Sequence, residues 1–238
     1  MKVLLLLGFF DSFLFPGSIL HEMEFNPAYL HRQRIEILLT SEVRYELTDL
    51  RAFGIYTQVQ QYGISAISFG NDLYRENYIE LGAGFPIVPG VAVGCHIAGM
   101  NCWVKDLKNE FTYSIKIGGI YENGPFTISG WVNNLNVPRI SSVDYAPLSY
   151  SLRFGYHAEA NLNFDIALRG VEADIPFFNV GVVLLPHKII RLGMGVNTRP
   201  ILLEYGMRIS LGRMFLSYAG NRHPQLGLTH VLGLGFFQ

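Results

Sequence analysis

Charge is what this chain has least of. Only 16% of its 238 residues are Asp, Glu, Lys or Arg, against roughly 25% in an average soluble domain. With 18 basic and 19 acidic residues the net charge is -1. The basic excess of a nucleic-acid binder is missing, so no nucleic acid is expected as a partner. Low charge combined with 50% hydrophobic residues also excludes a disordered chain. Two cysteines cannot build a disulfide framework. Cys95 and Cys102 would stand about 23 Å apart on opposite faces of one extended strand, beyond disulfide reach. Long apolar runs are missing too: no stretch approaches the roughly 18–20 apolar residues of a spanning helix. The best of them, 175–190, is cut by Pro176, Pro186, His187 and Lys188.

Catalytic signatures are equally scarce. Gly82-Ala83-Gly84 runs into Phe85-Pro86 without the third glycine of a dinucleotide loop, and His21-Glu22 lacks the second histidine of a zinc protease motif. No G-x-S-x-G elbow occurs. Ser151 and His157 share a face, but their spacing in the sequence puts them about 20 Å apart along one strand, too far for a dyad. The chain reads as a non-enzyme with no cofactor and no metal.

What is present is alternation. Leu148, Tyr150, Leu152, Phe154 and Tyr156 oppose Ser149, Ser151, Arg153, Gly155 and His157. Leu162, Phe164, Ile166 and Leu168 oppose Asn163, Asp165, Ala167 and Arg169, and Ile190, Leu192, Met194 and Val196 oppose Arg191, Gly193, Gly195 and Asn197. A period of two is a strand with one greasy and one polar face, not a helix. A soluble sandwich or lipocalin-like barrel would share the pattern, but its outer face should be rich in Lys and Glu. Here the polar faces are mostly Gly, Ser, Thr and Asn, which suits a lumen.

The parse gives fourteen strands: 34–45, 50–60, 62–70, 77–87, 91–103, 110–122, 125–135, 147–158, 162–173, 177–185, 189–198, 201–211, 214–219 and 228–238. Alternate connections are tight turns such as Pro89-Gly90, Asn123-Gly124 and Gly212-Arg213; the others include the longer loops Asn71 to Glu76, Asn136 to Ala146 and Gly220 to Gly227. An even strand count with short turns at one end and longer loops at the other describes an all-β, closed antiparallel transmembrane barrel of the bacterial outer membrane. Closure also removes sheet edges that lipid would not tolerate. Tyr45, Tyr78, Tyr121, Tyr150, Tyr156, Tyr205 and Phe236 fall near strand ends, where interfacial aromatic girdles are expected.

Ahead of the strands, Lys2 and the apolar run Val3 to Phe10, then the small residues Gly17 and Ser18, resemble an export signal, with cleavage expected between Ser18 and His21. The organisation is thus a signal peptide over 1–20, a short periplasmic segment over 21–33 and a barrel over 34–238. A lead-in this short is not expected to plug the barrel, so loops and lumen side chains are expected to do most of the blocking.

The segment Phe25-Asn26-Pro27-Ala28-Tyr29-Leu30 resembles the NPA element of the FadL-like superfamily of fourteen-stranded barrels, which holds fatty-acid transporters and the PorV/PorQ-type barrels linked to type IX secretion. The stretch from His223 to Gln238 looks like the last hairpin of PorV/PorQ-type members. Leu232, Leu234, Phe236 and Phe237 are similar to the C-terminal signal read by the barrel-assembly machinery, with Gln238 after the aromatics. The resemblance implies a periplasmic-mouth role for Asn26, Pro27 and Ala28. It also implies outer-membrane lipid and the assembly machinery as partners, and either a hydrophobic small molecule or a secreted protein as cargo.

Three functions follow as expectations. The first is a passive channel or carrier for small amphipathic or hydrophobic solutes; the second is a non-transporting PorV-type anchor or docking barrel in protein secretion; the third is a structural or adhesive barrel whose lumen is fully blocked. The lumen-facing set is Lys116, Arg153, His157, Asp165, Arg169, Arg191, Glu204 and Arg208. It reads either as a polar constriction that selects solutes or binds an anionic head group, or as paired charges that stabilise the interior.

Overall fold

The computed structural model describes residues 26–106, 109–139, 145–158, 161–172 and 174–238. The signal-peptide reading, like His21-Glu22, lies outside the described residues. Fourteen strands run up and down in chain order. The first five are β1 (Arg34–Val43), β2 (Arg51–Gln60), β3 (Tyr62–Gly70), β4 (Tyr74–Val88) and β5 (Val91–Val104). Next come β6 (Glu110–Asn123), β7 (Phe126–Asn133), β8 (Ser149–Ala158) and β9 (Leu162–Val171). The last are β10 (Phe177–His187), β11 (Ile190–Thr198), β12 (Ile201–Leu211), β13 (Met214–His223) and β14 (Gly227–Phe237). β1 pairs antiparallel with β14, Glu36 opposite Phe237 and Val43 opposite His230, which closes the barrel.

The wall is inverted relative to a soluble protein. Ile35, Ile37, Leu39, Leu81, Ile97 and Leu152 stand exposed, while Glu36, Gln58, Glu76, His96, Arg153 and Asp165 are buried. Alternation puts the exposed set outside and the buried set inside. Such an exterior is stable only in lipid, which an apolar band of this kind is built to meet. Leu81 is 59% exposed at the midpoint of β4. Leu81→Arg is therefore expected to destabilise the barrel in phospholipid bilayers by about 2–4 kcal/mol, read as the shift in its denaturant unfolding midpoint.

Two glycines on outward faces lie under cross-strand aromatics. Tyr150 lies opposite Gly170 and Tyr205 opposite Gly220, each ring occupying the space a Cβ would fill. Inside, Phe215 covers Gly235 in the same way. The rings bury backbone that glycine leaves bare.

Three expectations change. The loop Gly220 to Gly227 is mostly strand: β13 runs to His223, which pairs with Gly227, leaving the turn Pro224 to Leu226. Asn221 and Arg222 disguise it, being polar residues where the ladder extends beyond the apolar band. The loop Asn71 to Glu76 shrinks likewise, because Arg75 pairs with Gly70 and Glu76 with Phe69. Its turn is held by Asn71 Oδ1, which accepts from the amides of Leu73 (2.8 Å) and Tyr74 (3.1 Å). Tyr78 leaves the aromatic girdle: it faces inwards, is buried, and donates to Glu76 Oε2 at 2.8 Å.

The contrast between the two ends remains. One end is closed by the single residue Gln61 and by turns at Pro89-Gly90, Pro125, Lys188 and Gly212-Arg213; the other carries the connection 134–148, whose residues 140–144 are not described. The short-turn end, where β1 starts and β14 stops, is the periplasmic one.

Candidate functional site

The lumen begins with a displaced piece of chain. The part of the lead-in that is described lies inside the barrel rather than in the periplasm. Pro27–His31 forms a short 3-10 helix with Asn26 as its cap, and Asn26 Oδ1 accepts from Ala28 N at 3.0 Å. Asn26 Nδ2 also donates to the carbonyls of Gly119 (3.0 Å) and Gly130 (3.2 Å), tying the helix to β6 and β7. Asn26 through Leu30 are buried. The strand register makes this approach practicable. Gly84 pairs with Gly94 and Gly94 with Gly118, so three glycines form one row across β4, β5 and β6. A Cβ on Gly94 would stand 2.3 Å from the carbonyl carbon of Pro27, and one on Gly118 would stand 2.1 Å from Asn26 Oδ1. Only bare backbone lets a second chain come this close. The lead-in therefore narrows the periplasmic end, against the expectation that its brevity leaves the blocking to loops and side chains.

Polar contacts fix the helix further. Tyr29 Oη donates to Ser129 Oγ at 3.2 Å, Gln58 Nε2 to the carbonyls of Leu30 and Arg32 at 3.2 Å each, and Arg32 is ion-paired with Glu122. Beside it, His31 and Glu122 border a recess of 360 Å³ at the rim, whose other walls come from residues 86–91.

Above this plug the wall differs from side to side. Leu38, Ala52, Tyr56, Ile67, Phe69, Tyr78 and Met100, from β1 to β5, form a buried apolar cluster with Leu30. The wall from β6 to β12 carries most of the buried cations. Arg153 grips Asp165 with two contacts of 2.9 Å, Nε to Oδ1 and Nη2 to Oδ2. That reach passes over Gly155, which pairs with Asp165 in the ladder. Lys116 Nζ stands 5.6 Å from the Trp131 ring centre. Arg208 lies over Phe215, its guanidinium carbon 3.6 Å from the ring centre.

The eight residues read as lumen-facing occupy the inner parity of their strands. Lys116, Arg153, Asp165, Arg169, Glu204 and Arg208 are buried; His157 and Arg191 are half-buried towards the periplasmic end. They do not converge on one point. Arg153 and Asp165 form a pair, Arg191 and Arg208 lie opposite one another, and His157 Nε2 bonds the Thr127 hydroxyl at 3.2 Å. Of the C-terminal stretch, Leu232, Leu234 and Phe236 face outwards and exposed, while Phe237 packs beside Phe215 with ring centres 6.2 Å apart. Cys95 and Cys102 are free thiols on opposite faces.

Sequence reasoning passed over the acidic residues of the other half. Glu80 accepts from Ser65 and faces His96 at 3.6 Å; Glu76 accepts from Tyr74 and Tyr78; Arg34 pairs with Glu36 at 2.8 Å and Arg44 with Glu42 at 2.6 Å. All four glutamates lie on the inner parity of β1 and β4, a signal the alternation itself carried.

No protein-family model matches the sequence, and no curated protein does. Solved structures do. The chain is similar to the CymD monoaromatic hydrocarbon channel, at 9% identity over 95% of this chain and 94% of that one, with a TM-score of 0.67. It is similar to the P. putida toluene transporter TodX, at 7% identity over 92% and 94%, with a TM-score of 0.61. A Pseudomonas aeruginosa FadL homologue matches at 8% identity over 94% and 95%, with a TM-score of 0.60. The chain shares the fold of these barrels, and with its apolar exterior that fold places it in the bacterial outer membrane.

Proposed function

We propose that the chain is a passive channel or carrier for small amphipathic or hydrophobic solutes. The observation that carries this is the two-sided lumen: an apolar cluster on β1 to β5, set beside the inward glutamates of β1 and β4, lies across from the guanidinium and amide groups of β8 to β12. A solute with a greasy part and a polar part finds partners on both sides without leaving the barrel. The transported classes named for CymD and TodX, monoaromatic hydrocarbons and toluene, support the apolar half of this reading. Charges on both sides are held in pairs, Arg34 with Glu36 and Arg153 with Asp165, and neither half calls for a cofactor.

The test is single-channel conductance of the refolded barrel in planar bilayers, with a heat-modifiability gel to establish folding. Steady current steps are expected, reduced by millimolar 2-phenylethanol but not by glycerol, because the first would lodge against the apolar wall. A folded barrel that passes no ions overturns the aqueous path and leaves lateral transport of a greasy ligand or a PorV-type docking role. Current that 2-phenylethanol leaves untouched overturns the amphipathic selectivity.

A further inference from the structure

The outer wall carries almost no charge, and what it carries is of one sign. Among the described residues, the outward-facing strand positions hold three charged side chains, Arg51, Arg75 and Arg222, and no acid. Arg51 is the first residue of β2, Arg75 the second of β4 and Arg222 the last but one of β13. All three therefore stand at the long-loop end, level with the outer leaflet. A charge on the lipid side is costly at mid-membrane and nearly free at the interface. The acids nearest in sequence, Asp49 and Asp72, lie in the loops beyond the strands. Arg75 reaches Asp72 at 3.6 Å, but that carboxylate is fully exposed, and such a pair is weak. Two of the three arginines share a row. Gly70 pairs with Arg75 and Arg75 with Trp103, while Ala52 pairs with Phe69, which sets Arg51 level with Gly70. Arg51 and Arg75 thus start two strands apart, about 10 Å, with no side chain between them.

Below this row the wall stays polar for one more. Phe53, Ser68, Asn77 and Asn101 are level with one another, and the last three are half-buried. Only then does grease begin, with Ile55, Ala66 and Ile79. On the far side of the barrel Phe178, Val196 and Leu203 remain apolar and exposed almost to the strand ends. Amides and hydroxyls turned towards hydrocarbon would go unsatisfied, so polar headgroups reach deeper along β2 to β5 than along β10 to β12. The tiers match a phosphorylated glycolipid. A phosphate takes two parallel hydrogen bonds from a guanidinium, sugar hydroxyls and amides meet the Ser and Asn row, and acyl chains lie on the isoleucines. Trp103, beside Arg75, supplies an amphipathic ring suited to the interface. We infer that the outer face of β2 to β5 is a binding site for a phosphorylated glycolipid of the outer leaflet, with Arg51 and Arg75 holding its phosphates. The site lies outside the lumen and does not depend on whether the barrel conducts.

Full-length refolded protein in a non-ionic detergent, at constant ionic strength, is titrated with bisphosphorylated lipid A, and bound lipid is counted by native mass spectrometry. A single tightly held copy per barrel is expected. Dephosphorylated lipid A and phosphatidylglycerol are expected to bind about tenfold more weakly or worse. Arg51→Gln combined with Arg75→Gln should weaken lipid A about tenfold or more. The corresponding lysine pair, which keeps the charge but loses the fork, should weaken it less. Arg213→Gln, at the opposite end of the barrel, should keep the affinity and controls for net charge. Asn77→Leu, which changes no charge, should weaken lipid A while leaving phosphatidylglycerol as it was. A heat-modifiability gel establishes that each variant folds. Equal binding of phosphatidylglycerol overturns the glycolipid and leaves a patch for any anionic lipid; displacement of lipid A by inorganic phosphate assigns the arginines to free anions and overturns the lipid site. Affinity that survives in the double glutamine variant overturns the site altogether. So does a spectrum of lipid-free dimers that the same variant converts to monomers, because the face would then join two copies of this chain.

Discussion

Gly94→Ala is expected to drive the Pro27–His31 helix out of the barrel while leaving the wall intact. A methyl at this position would meet the Pro27 carbonyl carbon at 2.3 Å and the Ala28 amide nitrogen at 2.4 Å. Both are backbone atoms, so rotating a side chain cannot relieve the overlap. One of two things must yield. The wall at Gly94 is held by ladders to β4 on one side and β6 on the other, whereas the helix is an appendage tied by a handful of hydrogen bonds. The appendage yields. Overpacking costs about 1–3 kcal/mol, and every 1.4 kcal/mol is tenfold in a local opening equilibrium. In a background with both native cysteines replaced by serine, Ala28→Cys places a thiol at a fully buried position. Its reaction with a water-soluble maleimide is expected to speed up about tenfold or more when Gly94→Ala is added. Conductance should rise with it, since the vacated volume lies at the periplasmic constriction. Unchanged labelling in a barrel that still passes the heat-modifiability gel would show that the strand moves and the helix stays.

The same residues show what was legible beforehand. Strand number, order and facing were open to reading because lipid and lumen impose opposite demands on alternate positions, and β8, β9 and β11 obey them over most of their length. Strand ends were less legible where the ladder outruns the apolar band. Asn221 and Arg222 carry no outward grease, so β13 seemed to stop at residue 219, although its hydrogen bonding continues to His223. Tyr78 was misplaced because an aromatic near a strand end suits a girdle by composition; only its parity with Glu76 and Glu80 shows that it faces inwards. The glycine row could not be seen in any one segment. Gly84, Gly94 and Gly118 become neighbours only through the register of three strands, and Gly82-Ala83-Gly84, dismissed as a failed nucleotide loop, supplies one of them. The NPA element was noticed, but its socket was not, because a socket is a property of several strands at once.

Asp165→Asn is expected to be among the most destabilising single changes in the lumen. The carboxylate of Asp165 receives Arg153 through two contacts of 2.9 Å, and both residues are buried. An amide keeps the shape but removes the charge and turns one acceptor into a donor aimed at a guanidinium. The arginine would then be a buried cation stripped of its counter-ion, a state that costs about 3–5 kcal/mol. Denaturant unfolding of the reconstituted barrel should show this as a lower midpoint with an unchanged slope. The double substitution Arg153→Met with Asp165→Leu separates charge from packing. Two apolar side chains of similar reach leave no ion to desolvate, and buried pairs replaced in this way are often neutral or better. Recovery of the midpoint in the double variant would mean the pair is dispensable for stability, so that its place on the inner wall concerns what passes the lumen. Failure to recover, with Asp165→Asn and the double variant equally unstable, would mean the pair holds β8 against β9 by geometry that apolar groups cannot reproduce. In that case the charges of this wall belong to the fold first.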